Sequence, residues 1–143
     1  MPIIALSIIF YLFSAFLIGR YYTSNESNQQ FSNLISILLL GAIIFHAFQF
    51  SDYWTSNGVI FGLAHSASFV AWIIASLLFL ASFSKPIHAL GIIVYPVVSI
   101  VLLLTVFFPD SVDKVVSLSI ASHVFLSISA YALLALAVCQ SIL

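Results

Sequence analysis

Four histidines carry most of the chemistry this chain can offer. Among its 143 residues there are three Lys or Arg, four Asp or Glu, four His and one Cys. Neutral imidazole is a common axial ligand of haem iron and a common ligand of zinc or copper. His46, His65 and His123 lie inside long apolar runs, whereas His88 follows Lys85-Pro86 at the edge of one. At 1.5 Å per helical residue, His46 stands about 6 Å before the end of its run. His65 then stands about 9 Å into the next run, and His123 about 12 Å into the last. Because successive runs alternate in direction, these three fall toward one side and His88 toward the other. Histidines inside a membrane segment are rare and usually face a bundle interior or a cavity. Three at similar depth would converge on one ligand. Two on facing helices suffice for a haem, whose iron is ligated from opposite faces of a flat ring. Phe45, Phe48, Phe69, Trp72 and Phe125 would wall such a ring. Two alternatives stay open. One is a zinc or copper site from His46, His65 and His123, which wants a hydrogen-bond acceptor behind each imidazole where only Ser, Tyr and Gln are near. The other is a structural membrane subunit with no cofactor, whose histidines only hydrogen-bond across helices.

The elements that must position these residues follow from composition. The chain is 64% hydrophobic and 5% charged, against about 25% charged in soluble domains. Its mean hydropathy is +1.27. Such a chain cannot cover a water-facing surface and reads as an all-α integral membrane protein. With no basic patch, nucleic acid is not an expected partner; the bilayer is. Cys139, the single cysteine, has no partner for an internal disulfide. Five apolar runs near the roughly 20 residues needed to span predict helices over about 3–18, 34–50, 59–81, 87–107 and 115–140. Short loops make them one antiparallel bundle, a single domain over 1–143. The first run has no basic leader and is read as a retained helix rather than a signal peptide. Tyr53 and Trp54 suit an interface belt, Asn57-Gly58 a turn, and Pro96 a kink. No polar tail follows the fifth run, so the chain reads as the first part of a longer domain.

Orientation rests on three basic residues. With the N-terminus outside, Arg20 and Lys85 fall in cytoplasmic loops at 19–33 and 82–86, and Lys114 falls outside. That two-to-one bias favours the N-out arrangement, and places His46, His65 and His123 toward the outer side. On the fifth helix Ser119, His123, Ser127 and Tyr131 repeat every four residues and share one face. That polar face is expected to point into the bundle, with Val124, Phe125, Ile128 and Leu133 on the other side. His65 sits among small residues, Gly62 with Ser66 and Ala64 with Ser68, which suit close helix contact. No catalytic constellation is present: no paired intramembrane carboxylates, no Cys-x-x-Cys, no phosphate loop and no Ser/His/Asp set.

Four segments in order carry a resemblance. They are "FHAF" from Phe45, "GVIFGLAHSASFVAWIIA" from Gly58, "KPIHALGIIVYPVVSIVLLL" from Lys85, and "SHVFLSISAYALLALA" from Ser122. Together they resemble the first half of the YpjD-like inner-membrane proteins of the cytochrome c assembly (CcsA/CcmC/HemX-like) superfamily. The last segment is similar to a helix that begins with a haem-ligating histidine in the cytochrome c synthetases of that superfamily. The resemblance implies a multi-pass protein of the bacterial inner membrane and a part in cytochrome c assembly or haem homeostasis. It further implies a b-type haem, with His123 as axial ligand and His46 as the candidate second ligand of the iron. Partners would be haem and other membrane proteins of cytochrome c assembly. The tryptophan-rich signature of the synthetases, W-G-x-x-W-x-W-D, is absent, so the implied role is that of a binder or accessory factor rather than an enzyme.

Overall fold

Five apolar runs become five helices, each long and apolar enough to cross a membrane. In this computed structural model the described residues are 2–23, 29–55, 58–60, 62–83, 88–108 and 115–142. The helices are α1 (Pro2–Thr23), α2 (Gln29–Phe48), α3 (Leu63–Ser82), α4 (Gly91–Phe107) and α5 (Leu118–Ile142). Their outward surfaces carry Ile9, Phe16, Ile37, Ile93 and Leu126. Lys85, Lys114, Asp110 and Asp113 lie outside the described residues, and the side chains of Tyr53 and Trp54 lie outside those whose surroundings are described.

Several boundaries differ from the expectation, each for a local reason. Helix α1 runs past Gly19 to Thr23, whose hydroxyl donates to the carbonyls of Gly19 and Arg20 at 3.2 and 3.0 Å. Such bonds satisfy carbonyls that a helix end otherwise leaves open. The third helix starts at Leu63 rather than 59, and the fifth at Leu118 rather than 115. The residues in front of them form strands. These are β1 (Trp54–Thr55), β2 (Gly58–Ile60) and β3 (Val115–Val116), rich in the β-branched side chains that suit a pleated surface. The strands make one antiparallel sheet in the order β1-β2-β3, with Trp54 opposite Val59, and Val59 opposite Val116. Gly58 stands at φ 141°, a region open to glycine because it has no Cβ. The sheet ties the α2–α3 link to the α4–α5 link, at the end of the bundle where α2 and α4 finish.

Helix α1 packs on α2 and α4, while α3 packs on α2, α4 and α5. The core between them holds Tyr11, Ile18, Leu39, Ala42, Ala75, Leu78, Tyr95 and Leu102. Helix α4 runs through Pro96, which has no N–H to offer the carbonyl of Ile92. One turn earlier, Gly91 is buried under the Tyr95 ring. A Cβ at Gly91 would stand 2.5 Å from Tyr95 Cε2 and 3.0 Å from Ile18 Cδ1. The ring cannot retreat freely, because its other face stacks on Tyr11 with centroids 5.7 Å apart. Gly91→Ala is therefore expected to lower stability by about 1–3 kcal/mol, the usual cost of overpacking. Thermal unfolding in detergent checks this; a variant as stable as the parent would mean that the Tyr11–Tyr95 stack is loose.

Candidate functional site

A buried polar group that joins three helices is built around His46. Its side chain is 1% exposed and is held from three directions. Nδ1 meets the Tyr11 hydroxyl at 3.4 Å, and Nε2 meets Ser68 Oγ at 3.1 Å. The two bonds reach α1 and α3 from α2, so one imidazole joins three helices. A neutral ring has one donor and one acceptor nitrogen, and either tautomer satisfies both contacts because each partner is a hydroxyl. The shape of the place is set by rings. Phe50 stacks on His46 with centroids 5.6 Å apart and 28° between planes. Phe69 and Trp72 each meet Phe50 edge-on. The Trp72 indole N–H donates to the Ile43 carbonyl at 3.0 Å, the bond a buried indole requires.

Local sequence explains the placement. Ser68 is four residues after Ala64 on α3, and Ala71 and Ala75, also buried, follow it at helical spacing. Ser7, Tyr11 and Ser14 follow helical spacing on α1, and all three are fully buried. Ser7 Oγ donates to the Ala42 carbonyl at 3.0 Å. Just past the end of α2, Gln49 donates its amide N–H to Thr105 Oγ1 at 3.1 Å and so ties the link after α2 to α4. Its Oε1, like Ser14 Oγ and Ser76 Oγ, is buried and has no hydrogen-bond partner.

His123 stands in different surroundings from His46: His46 is buried and His123 is exposed. Helix α5 makes its main contacts with α3 and β2. It turns the Phe125 side inward, where the Phe125 ring lies 4.1 Å from that of Phe69. Residue 125 is two positions, about 200° of helix, from residue 123. His123 and Ser119 are therefore exposed, and Tyr131 is 73% exposed. The four-residue stripe of α5 faces out of the bundle, opposite to the expected direction. The physical reason is that a large ring on the apolar side found an aromatic partner on α3, whereas the stripe's hydroxyls are met locally: Ser127 Oγ donates to the His123 carbonyl at 2.9 Å. Phe50, Phe69 and Phe125 stand in a row of ring contacts between His46 and α5.

The two candidate haem ligands, His46 and His123, differ in their surroundings. Iron at His46 would have to displace Tyr11 or Ser68 from a ring nitrogen, whereas His123 is open. His65 is half-buried near the start of α3. Among the described residues no three His, Cys, Asp or Glu side chains come together as a metal site, so the three-histidine zinc or copper arrangement does not form. His88 is half-buried, opens the 3-10 turn before α4, and lines a cavity of about 60 Å³ with Ile18, Tyr21, Ser32 and Ile35. Sequence reasoning overlooked Tyr11 and Ser68. The signal that would have found Tyr11 is the Ser7, Tyr11, Ser14 spacing, a polar stripe in an otherwise apolar run.

Comparison with family models, with curated proteins and with solved structures finds no match to this chain.

Proposed function

We propose that the chain is a multi-pass protein of the bacterial inner membrane, N-terminus outside, that handles haem as an accessory to cytochrome c assembly or haem homeostasis. The observation that carries this reading is the exposed imidazole of His123 on a helix long and apolar enough to span a membrane. A polar ring facing hydrocarbon is costly, so a membrane-embedded His123 calls for something to engage it. An apolar macrocycle with a metal centre meets both needs of that face: it takes the imidazole lone pair and covers neighbours such as Leu126 and Ile120, both exposed. Haem would supply the iron and the redox couple. The chain would supply His123 as ligand and the apolar surface around it. The similarity of the Ser122–Ala137 segment to the ligand-bearing helix of the superfamily supports the same residue. The test is a visible spectrum of the protein purified from haem-replete membranes. A b-type reduced spectrum is the expected result, and a colourless protein that takes up no added haem would end the proposal.

A second reading is favoured by one specific observation. With both ring nitrogens of His46 occupied by hydroxyls of neighbouring helices, that histidine acts as a helix joint. The structural-subunit alternative therefore describes His46 well, whatever His123 does.

The orientation has its own test. With Cys139 replaced by Ser, a Ser27→Cys variant is expected to resist a membrane-impermeant thiol reagent in intact cells and react after the inner membrane is opened. Labelling from the periplasmic side would reverse the topology and move the His46 end of the bundle to the cytoplasm.

A further inference from the structure

Several buried polar groups of this core follow one another as a line of residues along α1 and across α2 to α3. Helix α1 sets the direction. Ile18 and Tyr21 line the cavity that also holds His88. One turn along the same buried face comes Ser14, 0% exposed, whose Oγ has no hydrogen-bond partner. One turn further is Tyr11, also 0% exposed. The Tyr11 hydroxyl reaches His46 Nδ1 at 3.4 Å, and His46 Nε2 reaches Ser68 Oγ at 3.1 Å. His65 lies one turn from Ser68 on α3 and is half-buried. The line thus starts beside one histidine, passes through a second in the middle of the core, and ends beside a third. Helix joining accounts for the Tyr11–His46–Ser68 contacts but leaves Ser14 Oγ without a partner. An unpartnered buried hydroxyl is costly, and ionisable groups within membrane segments mark proton pathways among other functions.

We propose that this line is a proton relay, with His46 as its central carrier. Water entering from the His88 cavity hydrogen-bonds to Ser14 and bridges toward Tyr11. The Tyr11 oxygen takes a proton from that water as its own O–H proton moves to Nδ1. The Nε2 proton passes to Ser68 Oγ as the Ser68 proton leaves toward His65 and the water beyond. The water regains a proton from the cavity side, and water, Tyr11, the imidazole and Ser68 each gain one proton and give one up, so no charge stays in the core. Afterwards the imidazole carries its proton on Nδ1, and the ring must return to the Nε2–H form before the next transfer. In so tight a ring of neighbours that step makes the relay slow. The ionisable groups facing this line are few. Tyr11 comes from α1 and Tyr95 from α4, stacked on Tyr11; α3 contributes the Ser68 hydroxyl and, one turn away, His65. The acidic residues Glu26, Asp52, Asp110 and Asp113 lie outside the residues whose side chains are described.

The relay stands apart from the haem reading, since it uses none of the α5 face. The test is proton flux into liposomes that contain the purified full chain and an entrapped pH-sensitive dye. A potassium diffusion potential set by valinomycin, negative inside, drives the protons. The parent protein is expected to acidify the interior faster than protein-free vesicles do. Tyr11→Phe keeps the ring stack on Tyr95 and removes only the hydroxyl; it should bring the rate back near that of empty vesicles. Ser14→Ala should slow it several-fold. Tyr131→Phe, at an exposed position on α5, should leave it unchanged. Thermal unfolding of each variant confirms that it was reconstituted folded, and Tyr11→Phe and Ser14→Ala decide the matter if substitutions of His46 do not fold. A parent rate equal to that of empty vesicles would overturn the proposal, and so would a folded Tyr11→Phe protein that conducts like its parent.

Discussion

His46→Ala is expected to be the most destabilising single side-chain truncation in the α1–α2–α3 part of the bundle, costing about 2–4 kcal/mol. Two effects add. The imidazole is 1% exposed and packed against Phe50, so its removal leaves a void that neighbouring rings fill only in part. Its loss also leaves the Tyr11 hydroxyl and Ser68 Oγ without their partner. Interhelical hydrogen bonds in membranes average only about 0.6 kcal/mol, so the packing loss is the larger share. The comparison with His46→Phe separates the two. Phenylalanine restores most of the volume and neither bond, so it should cost about 1–2 kcal/mol. Unfolding in a mixed detergent series measures both. If His46→Ala unfolded within about 0.5 kcal/mol of the parent, the imidazole would not be the joint described here.

The second large effect concerns haem rather than stability. His123→Ala is expected to abolish or greatly weaken haem binding, while His88→Ala leaves it intact. His123 is exposed on α5, so removing it opens no cavity and frees no buried partner, and surface substitutions of that kind usually change stability by less than about 0.5 kcal/mol. Loss of the spectrum with unchanged unfolding is thus the signature of a lost ligand. His46→Ala should show the converse, a lower unfolding midpoint with any remaining folded protein still binding haem. Reduced-minus-oxidised spectra at matched protein level read both. A His123→Ala protein with the parent spectrum would remove the haem reading and leave the structural one.

These two histidines also show what the sequence could and could not disclose. The number of helices was legible, because run length and hydropathy act locally and no partner is needed to read them. That His46 falls near the end of its helix and His123 in the first turns of the fifth was legible for the same reason. Their azimuth was not. On α5 the stripe Ser119, His123, Ser127, Tyr131 has a polar face that reads equally well as an inner lining or as a surface for something outside the chain. What decided it was Phe125 meeting Phe69, a contact between helices that no periodicity within α5 contains. The role of Ser68 was hidden similarly: a serine among small residues is ordinary in an apolar helix until a histidine from a second helix meets it. The strands at 58–60 and 115–116 were lost to the apolar runs they abut, since Val and Ile fit either reading and only pairing across the bundle separates them.

That pairing has a consequence for biogenesis. The contact of β1 with β2 is local, closed within six residues of chain, so it can form as soon as the link after α2 emerges. The contact of β2 with β3 joins Val59 to Val116, across all of α3 and α4. Until those two helices are placed, the edge of β2 stays unpaired, and an unpaired edge is a template for other chains. Contacts of such long sequence separation form late. The pairing of β2 is therefore complete only once the segment leading into the fifth helix is in place. A chain stalled before residue 115 would leave that strand edge open to pairing with other chains.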